Sequence, residues 1–252
     1  MYATDLTEAQ WQFIKSSLNI EERKRKYDLR LMWNAIFYLN KTGCQWRMLP
    51  KEFPKWQLVY YYYRIWSETE NFDLILDKVR RKVRENRGQN QEASLGILDS
   101  QSVRWGNNRA LNGIDGNKKV KGIKRHMVVD KNGFLIAVMV CVANIHDSKA
   151  ALFVMRMLKE CLCKIKVILA DGGYRGELAN TVKQTYGYII NVVMRSDKPN
   201  PEFCPVNKRW VIERSFAWLD NDRRLCRNYE FLPETSENMV KIAAIKFLLN
   251  KI

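Results

Sequence analysis

From Trp11 to Val83 the apolar residues return every three or four positions, the period of one face of an α-helix. A capping box, Thr7-Glu-Ala-Gln10, stands before Trp11, Ile14 and Leu18 and predicts a first helix. Arg23-Lys-Arg-Lys26 is a basic connector. Asp28 then caps a second helix, with Leu29, Met32, Trp33, Ile36, Phe37 and Leu39 apolar and Gly43 closing it. Pro50 and Pro54 bracket a turn before a third helix, roughly Lys55 to Ser67; a fourth runs from Phe72 to Asn86 and ends near Gly88. Helix, turn and helix around Gly43 to Pro54 form a helix-turn-helix-like unit in which the third helix is the candidate DNA reader. Its Tyr60, Tyr61, Tyr62 and Tyr63 cannot all face one core, so some are exposed or stack on a partner. A plain helical bundle packing its aromatics is the alternative.

After Gln89-Asn-Gln-Glu92 the pattern changes to short apolar runs alternating with helical stretches. Strands are predicted at Leu95–Asp99, Ile123–Asp130, Phe134–Ala143, Ile165–Ala170 and Tyr188–Met194. Asn132-Gly133 joins the second and third as a hairpin. Helices are expected from about Ser148 to Cys161, Tyr174 to Tyr186, Asn207 to Leu225 and Glu237 to Asn250. Three strands, helix, strand, helix, strand and closing helices fit an α/β fold, a ribonuclease-H-like mixed five-stranded sheet with flanking helices. The expected division is an all-α domain over residues 1–92 and the sheet domain over 93–252. Gly106 to Lys121, rich in Gly, Asn and Lys, reads as a mobile basic loop.

Two of the apolar runs end in an aspartate, Leu95-Gly-Ile-Leu-Asp99 and Lys166-Val-Ile-Leu-Ala-Asp171. A third acid, Glu213, falls on a helix whose same face carries Trp210, Phe216 and Ala217. An acid at the tip of a buried strand is costly unless a cation meets it. In the sheet order above, the first and fourth strands are neighbours, which sets Asp99 beside Asp171. Two carboxylates at that distance repel, and a hard divalent cation removes the repulsion. Oxygen-only ligands suit magnesium, with manganese as a substitute, and two-metal sites catalyse phosphoryl transfer. Each acid also has a structural reading. Asp99 could cap a turn through Ser100 to Ser102, Asp171 could only end its strand in Asp-Gly-Gly, and Glu213 could pair with Arg209 or Arg214.

Charge narrows the partner. The chain has 43 Lys+Arg against 27 Asp+Glu, a net +16, and a polyanion such as nucleic acid is the expected ligand. Residues 93–252 carry 26 basic and 15 acidic residues, against 17 and 12 in residues 1–92, so the excess sits mainly with the sheet. Lys118, Lys119, Lys121, Lys124 and Arg125 are the expected phosphate contacts, with Arg209 and Arg214 near the acids; a solvated hairpin face is the alternative for the lysine run. Phosphate-binding glycine loops are absent from the sequence. His126 and His146 stand alone and read as hydrogen-bonded structural residues. The cysteines lack a Cys-x-x-Cys pair and read as reduced, buried thiols of a cytoplasmic protein. The first ten residues are too polar for an export signal, and the apolar run Phe134 to Ala143 is half a membrane span, so no membrane partner is expected.

These motifs taken together resemble the DDE-type transposases of bacterial insertion sequences, in the IS-five group. The N-terminal match is carried by Leu6-Thr-x-x-Gln-Trp11, Arg25-Lys-Tyr-Asp-Leu-Arg30 and Thr42-Gly-Cys-Gln-Trp-Arg-Met-Leu-Pro50. The catalytic match is carried by Leu98-Asp-Ser-Gln-Ser-Val103, Lys118-Lys-Val-Lys-Gly-x-Lys-Arg-His126, Ala170-Asp-Gly-Gly-Tyr174 and Arg209-Trp-Val-Ile-Glu-Arg-Ser-Phe-Ala-Trp-Leu219. The resemblance implies that Asp99, Asp171 and Glu213 are the catalytic, metal-holding triad. It implies binding of transposon inverted repeats and of target DNA, both double-stranded, with cleavage and strand transfer by a homodimer or larger synaptic assembly. Around the glutamate the family pattern is Tyr-x2-Arg-x3-Glu-x6-Lys; Val206 and Asp220 replace its tyrosine and lysine here. Arg223 and Arg224, a turn further on, are the expected replacement for that positive charge. The rival readings are a catalytically inert DNA-binding regulator and a host-adopted ribonuclease-H-like nuclease.

Overall fold

Four helices come first, each bounded by its capping residues. α1 (Glu8–Ser17) starts where Gln10 N donates to Thr7 Oγ1 and Thr7 N to Gln10 Oε1, both at 3.2 Å. α2 (Leu29–Thr42) is capped by Asp28 and stops at Gly43, whose φ of 72° is the left-handed conformation glycine adopts without strain. α3 (Trp56–Glu68) and α4 (Asn71–Asn86) complete the helical part. Trp33 of α2 is fully buried, stacked on Trp66 of α3 with ring centroids 4.6 Å apart. The four tyrosines of α3 divide as helical geometry requires: Tyr63 is 3% exposed and Tyr61 57%. The computed structural model describes residues 2–21, 23–106, 111–160, 164–174, 177–193 and 210–252. Val206 and Arg209 lie outside them.

The sheet contains β1 (Leu95–Arg104), β2 (Gly113–Asp115), β3 (Val120–Val129), β4 (Leu135–Val142), β5 (Val167–Ala170) and β6 (Ile189–Val192). β1 pairs antiparallel with β3 and parallel with β5, β5 pairs parallel with β6, and β4 pairs antiparallel with β3. Strands β4, β3, β1, β5 and β6 thus make the expected ribonuclease-H-like mixed sheet. Two expectations need correction. β1 does not end at Asp99, because Asp99 through Arg104 continue the ladder opposite Met127 through Gly122. The segment after Gly106 is not simply a loop: Gly113–Asp115 pair with Val120–Gly122 as β2. The Asp115 carboxylate locks that hairpin by accepting from Asn117 N (2.9 Å), Lys118 N (3.2 Å) and the Ser102 hydroxyl.

Alternation along the strands gives the sheet two faces. Leu98, Val128, Ile168 and Ala170 face α5 (Asp147–Glu160) and α6 (Glu177–Tyr186). Ile97, Met127, Val129 and Leu169 face α7 (Trp210–Leu219) and α8 (Pro233–Leu249), in one apolar cluster that extends through all four N-terminal helices. α8 packs against α2, α4 and β4, so the last helix belongs by its contacts to both parts of the chain. Among the described residues no helix is long and apolar enough to cross a membrane. Cys44 and Cys141 are half-buried free thiols and Cys226 is exposed, a departure from the buried thiols expected.

Candidate active site

Asp99 lies within β1, and Asp171 directly follows the end of β5, the parallel neighbour of β1. The parallel ladder pairs Leu95 with Val167 and Ile97 with Leu169. Asp99 and Asp171 each come two residues later, so they share a face and are separated by roughly one inter-strand spacing, about 4.8 Å. The backbone fixes one oxygen of each: Asp99 Oδ1 accepts from Ser100 N at 2.7 Å and Asp171 Oδ1 from Gly173 N at 3.0 Å. The latter bond belongs to the 3-10 turn Gly172–Tyr174, so Asp171 does take part in ending its strand.

That turn also brings in Tyr174, which is 1% exposed. Burial pushes its phenol well above the ordinary range, and the charges of Asp147, Asp99 and Asp171 push the same way. One buried hydroxyl therefore lies in the field of both aspartates. Its type was legible in the Asp-Gly-Gly-Tyr174 motif, but its role was not.

Glu213 stands differently. α7 turns Val211, Ile212, Ser215, Phe216 and Leu219 inward, onto the face that carries the aspartates, and leaves Glu213 exposed. Glu213 does share its side of α7 with Trp210 (47% exposed) and Ala217, but that side is exposed, and Phe216 turns inward instead. Arg214 is not its partner: the guanidinium sits 4.6 Å from the rings of both Trp210 and Trp218 and donates to Asn132 O at 2.9 Å. Asp220, two turns beyond Glu213, accepts from Gln101 Nε2 at 3.3 Å, and Gln101 follows Asp99 by two residues on the same side of β1. α7 therefore runs beside β1, with Glu213 about 10 Å back along its axis from Asp220. Among the described residues no three His, Cys, Asp or Glu side chains stand close enough to hold one metal ion. Asp99 and Asp171 both act on the buried Tyr174, whereas Glu213 stands exposed on α7. An adjacent pair of carboxylates is an oxygen-only donor set that fits a hard divalent cation.

The expected phosphate contacts separate into two groups. Lys118, Lys119 and Lys121 are exposed on the β2–β3 hairpin, and Lys118 Nζ donates to Ser100 O at 3.0 Å, one residue from Asp99. Arg223 is exposed and Arg214 half-buried. Lys124, Arg125 and Arg224 are corrected to structural roles. Lys124 is 5% exposed between Asp115 (3.6 Å) and Asp147 (3.0 Å). Arg125 is buried, donates to Leu225 O at 2.8 Å, and is pulled down to about 10 by burial. Arg224 is paired with Glu230 at 2.6 Å and donates to Cys44 O at 3.0 Å. For Lys124 and Arg125 the physical reason is position: beyond Lys121, β3 has partners along both edges and helices over both faces, so side chains there meet protein, while Arg224 is drawn inward by Glu230 and the carbonyl of Cys44. His126 is fully buried 3.4 Å from Cys141 Sγ and is pushed down to about 4 by burial, and His146 bonds Ser148 Oγ at 2.7 Å. Both have the structural partners expected of them.

Residues 6–76 match a family model for transposases of the IS4/5 family, and residues 90–245 match the transposase DDE domain. A protein of Burkholderia cepacia named as the transposase for insertion sequence element IS402 is 30% identical over 142 residues. That alignment spans 53% of this chain and 64% of the relative, less than two thirds of the relative's length. A solved structure of the piggyBac transposase synaptic complex with hairpin DNA overlays with a TM-score of 0.40 at 11% identity, over 98% of this chain and 73% of that one.

Proposed function

Because this chain belongs to the DDE-domain transposases of the IS4/5 family, we propose that it binds insertion-sequence ends, cleaves DNA there and joins the freed 3′-hydroxyl to target DNA. The observation that supports this reading is the buried Tyr174 in the field of both Asp99 and Asp171, two acids that follow the paired residues of the neighbouring strands β1 and β5. Asp99 and Asp171 would hold the divalent cation, magnesium or manganese, whose Lewis acidity would activate a hydroxyl nucleophile and neutralise charge on the leaving oxygen; Glu213, exposed on α7 and apart from them in this structure, would join as the third ligand on a movement of α7. The chain's own residues do the rest. Ser100 N and Gly173 N orient the two aspartates, so less reorganisation remains at the moment of reaction. Lys118, Lys119 and Lys121 present cations on the hairpin beside β1, where a phosphodiester approaching the acids would be met. Arg223 supplies further positive charge beyond α7. Two element ends are processed together in transposition, so the working form is a homodimer or a larger synaptic assembly.

The test is magnesium-dependent nicking of an inverted-repeat duplex by the wild type and by Asp99→Asn. Nicking is expected from the wild type only, with duplex binding retained by both. Equal nicking by the two proteins would remove Asp99 from the chemistry.

A further inference from the structure

A second site lies at the opposite end of β1 and β5 from the aspartates. There the end of α4, the β3–β4 turn and the segment before β5 enclose a cleft of about 770 Å³. Five cations line it, Arg81, Arg84, Lys131, Lys164 and Lys166, against one carboxylate, Glu92. They converge from three separate segments, which sets the cleft apart from a solvated charge run on one helix. Three are held in place: Arg81 by Asp77 (2.6 Å) and Glu92 (3.1 Å), Arg84 by Asp130, and Lys164 by Glu92 (3.0 Å). Lys131 and Lys166 are exposed and make no ion pair among the described residues. Fixed arginines frame the cleft, and two free lysines leave its charge unneutralised.

The cleft also has a path to the acids. A groove over Leu95, Val167, Leu169, Asn191 and Val193 shares Ser94, Leu95 and Lys166 with the cleft. Its floor is the row of the sheet that continues to Asp171. The backbone positions of Lys166 and Asp171, which flank β5, are five residues apart, about 16 Å at about 3.3 Å per residue; Lys166, whose side chain alternates away from the Asp171 face, lines the groove from the start of the strand. Phosphates on one DNA strand recur about every 3.4 Å along the helix axis, so this distance corresponds to about five base pairs.

We propose that this cleft is a second phosphate-contact site, gripping the sugar-phosphate backbone of the same duplex about five base pairs from the bond positioned at Asp99 and Asp171. The proposal rests on the function proposed above and adds to it a fixed register for the duplex over the sheet. Such contacts position without reading sequence.

The experiment uses the full chain and the double variant Lys131→Ala/Lys166→Ala, both exposed positions, on an end-containing duplex. Salt dependence of affinity and hydroxyl-radical footprints are measured. The double variant is expected to lose about two units from the slope of log affinity against log salt, at about 0.9 per phosphate contact. Backbone protection about five base pairs from the nick should disappear while protection at the nick remains. Lys149→Ala/Lys183→Ala, on α5 and α6 over the other face, should change neither. A wild-type slope and footprint in the Lys131/Lys166 variant would overturn the proposal. So would saturation of the cleft by inorganic phosphate that leaves duplex affinity and footprint unchanged, since the ligand would then be a free phosphate species. A wild type that shows the distal protection but never nicks would leave the cleft standing and defeat the transposase chemistry.

Discussion

Asp130 shows how much a single residue can demand of its surroundings. Its side chain is fully buried, with Phe134 N (3.0 Å) and Asn132 N (2.8 Å) donating to one oxygen and Arg84 meeting the other. Arg84 is 5% exposed at its side chain, so removing it strands a charge out of water. Arg84→Met should cost about 3–5 kcal/mol in urea unfolding, whereas Arg84→Met/Asp130→Asn should cost clearly less. Equal losses would mean that the pair's packing matters and its charge does not. Gly133 is the second demanding position. Its φ is +85°, and a Cβ there would lie 2.6 Å from Ser215 Oγ and 3.1 Å from the Trp218 ring. Gly133→Ala should therefore lose about 1–3 kcal/mol by the same measurement, and an unchanged midpoint would refute the close approach. At this scale the sequence was legible where chemistry is local. Asn132-Gly133 announced its turn, and Asp99 and Asp171 stand, as their runs suggested, on the neighbouring strand β1 and directly after β5. Lys124 and Arg125 misled, because a run of cations looks alike whether it faces water or lies across a central strand.

Among the elements, β4 and α8 form an interface that neither declares alone. Among the described residues β4 pairs only with β3, so its outer edge has no strand partner there. Glu237, in the second turn of α8, covers that edge by accepting from Val140 N at 2.8 Å. Burial raises the Glu237 carboxyl from 4.5 to about 7, against the pull of that hydrogen bond and of Lys241. The sign follows from linkage. Between those two values the folded chain keeps a proton that the unfolded chain releases, so the contribution to stability is greatest below pH 4.5. It declines as pH rises through the window and is constant above 7. Glu237→Gln keeps an acceptor for Val140 N and cannot ionise. The variant's stability relative to wild type should rise across that window by on the order of 3 kcal/mol. A flat difference between variant and wild type in urea melts from pH 4.5 to 7 would dismiss the buried carboxyl. The periods of three to four and of two located most elements, but two features escaped them. The strand beyond Asp99 passes through Ser100-Gln-Ser102, too polar to read as a strand, and is held by pairing with β3. β2 has three residues, and its hairpin depends on Asp115, whose effect is invisible until Ser102 is brought opposite.

For the molecule as a whole, the change from helical to alternating pattern near Glu92 marks a boundary in element type, while the packing ignores it. One apolar cluster runs from Leu6 to Leu249 and includes Ile97, Val129 and Leu169 of the sheet. Polar contacts cross the same way: Gln10 Nε2 donates to Leu249 O at 3.0 Å, and Asn40 Nδ2 to Met239 O at 2.8 Å. The sequence carried a hint of this in α8, where Met239, Val240, Ile242, Ala243, Ile245, Leu248 and Leu249 leave little of the helix polar. A helix apolar on several sides is one that several neighbours bury, but its partners are a tertiary matter that periodicity cannot name. Burial of this kind couples the two parts energetically. A chain cut to residues 1–92 would expose the α2 and α4 surfaces that α8 covers, and residues 93–252 alone would expose the complementary face of α8. Each exposed apolar side chain forfeits about 1.5–3 kcal/mol, and a few of them equal the whole stability of an ordinary domain. The full chain should accordingly unfold in one transition, with tryptophan fluorescence and far-ultraviolet circular dichroism giving the same midpoint, and residues 1–92 expressed alone should show no cooperative transition. Two separated midpoints, or a cooperative melt from residues 1–92, would mean that the helical part holds itself together without α8. In that case the shared core would be a docking surface between two independently stable domains.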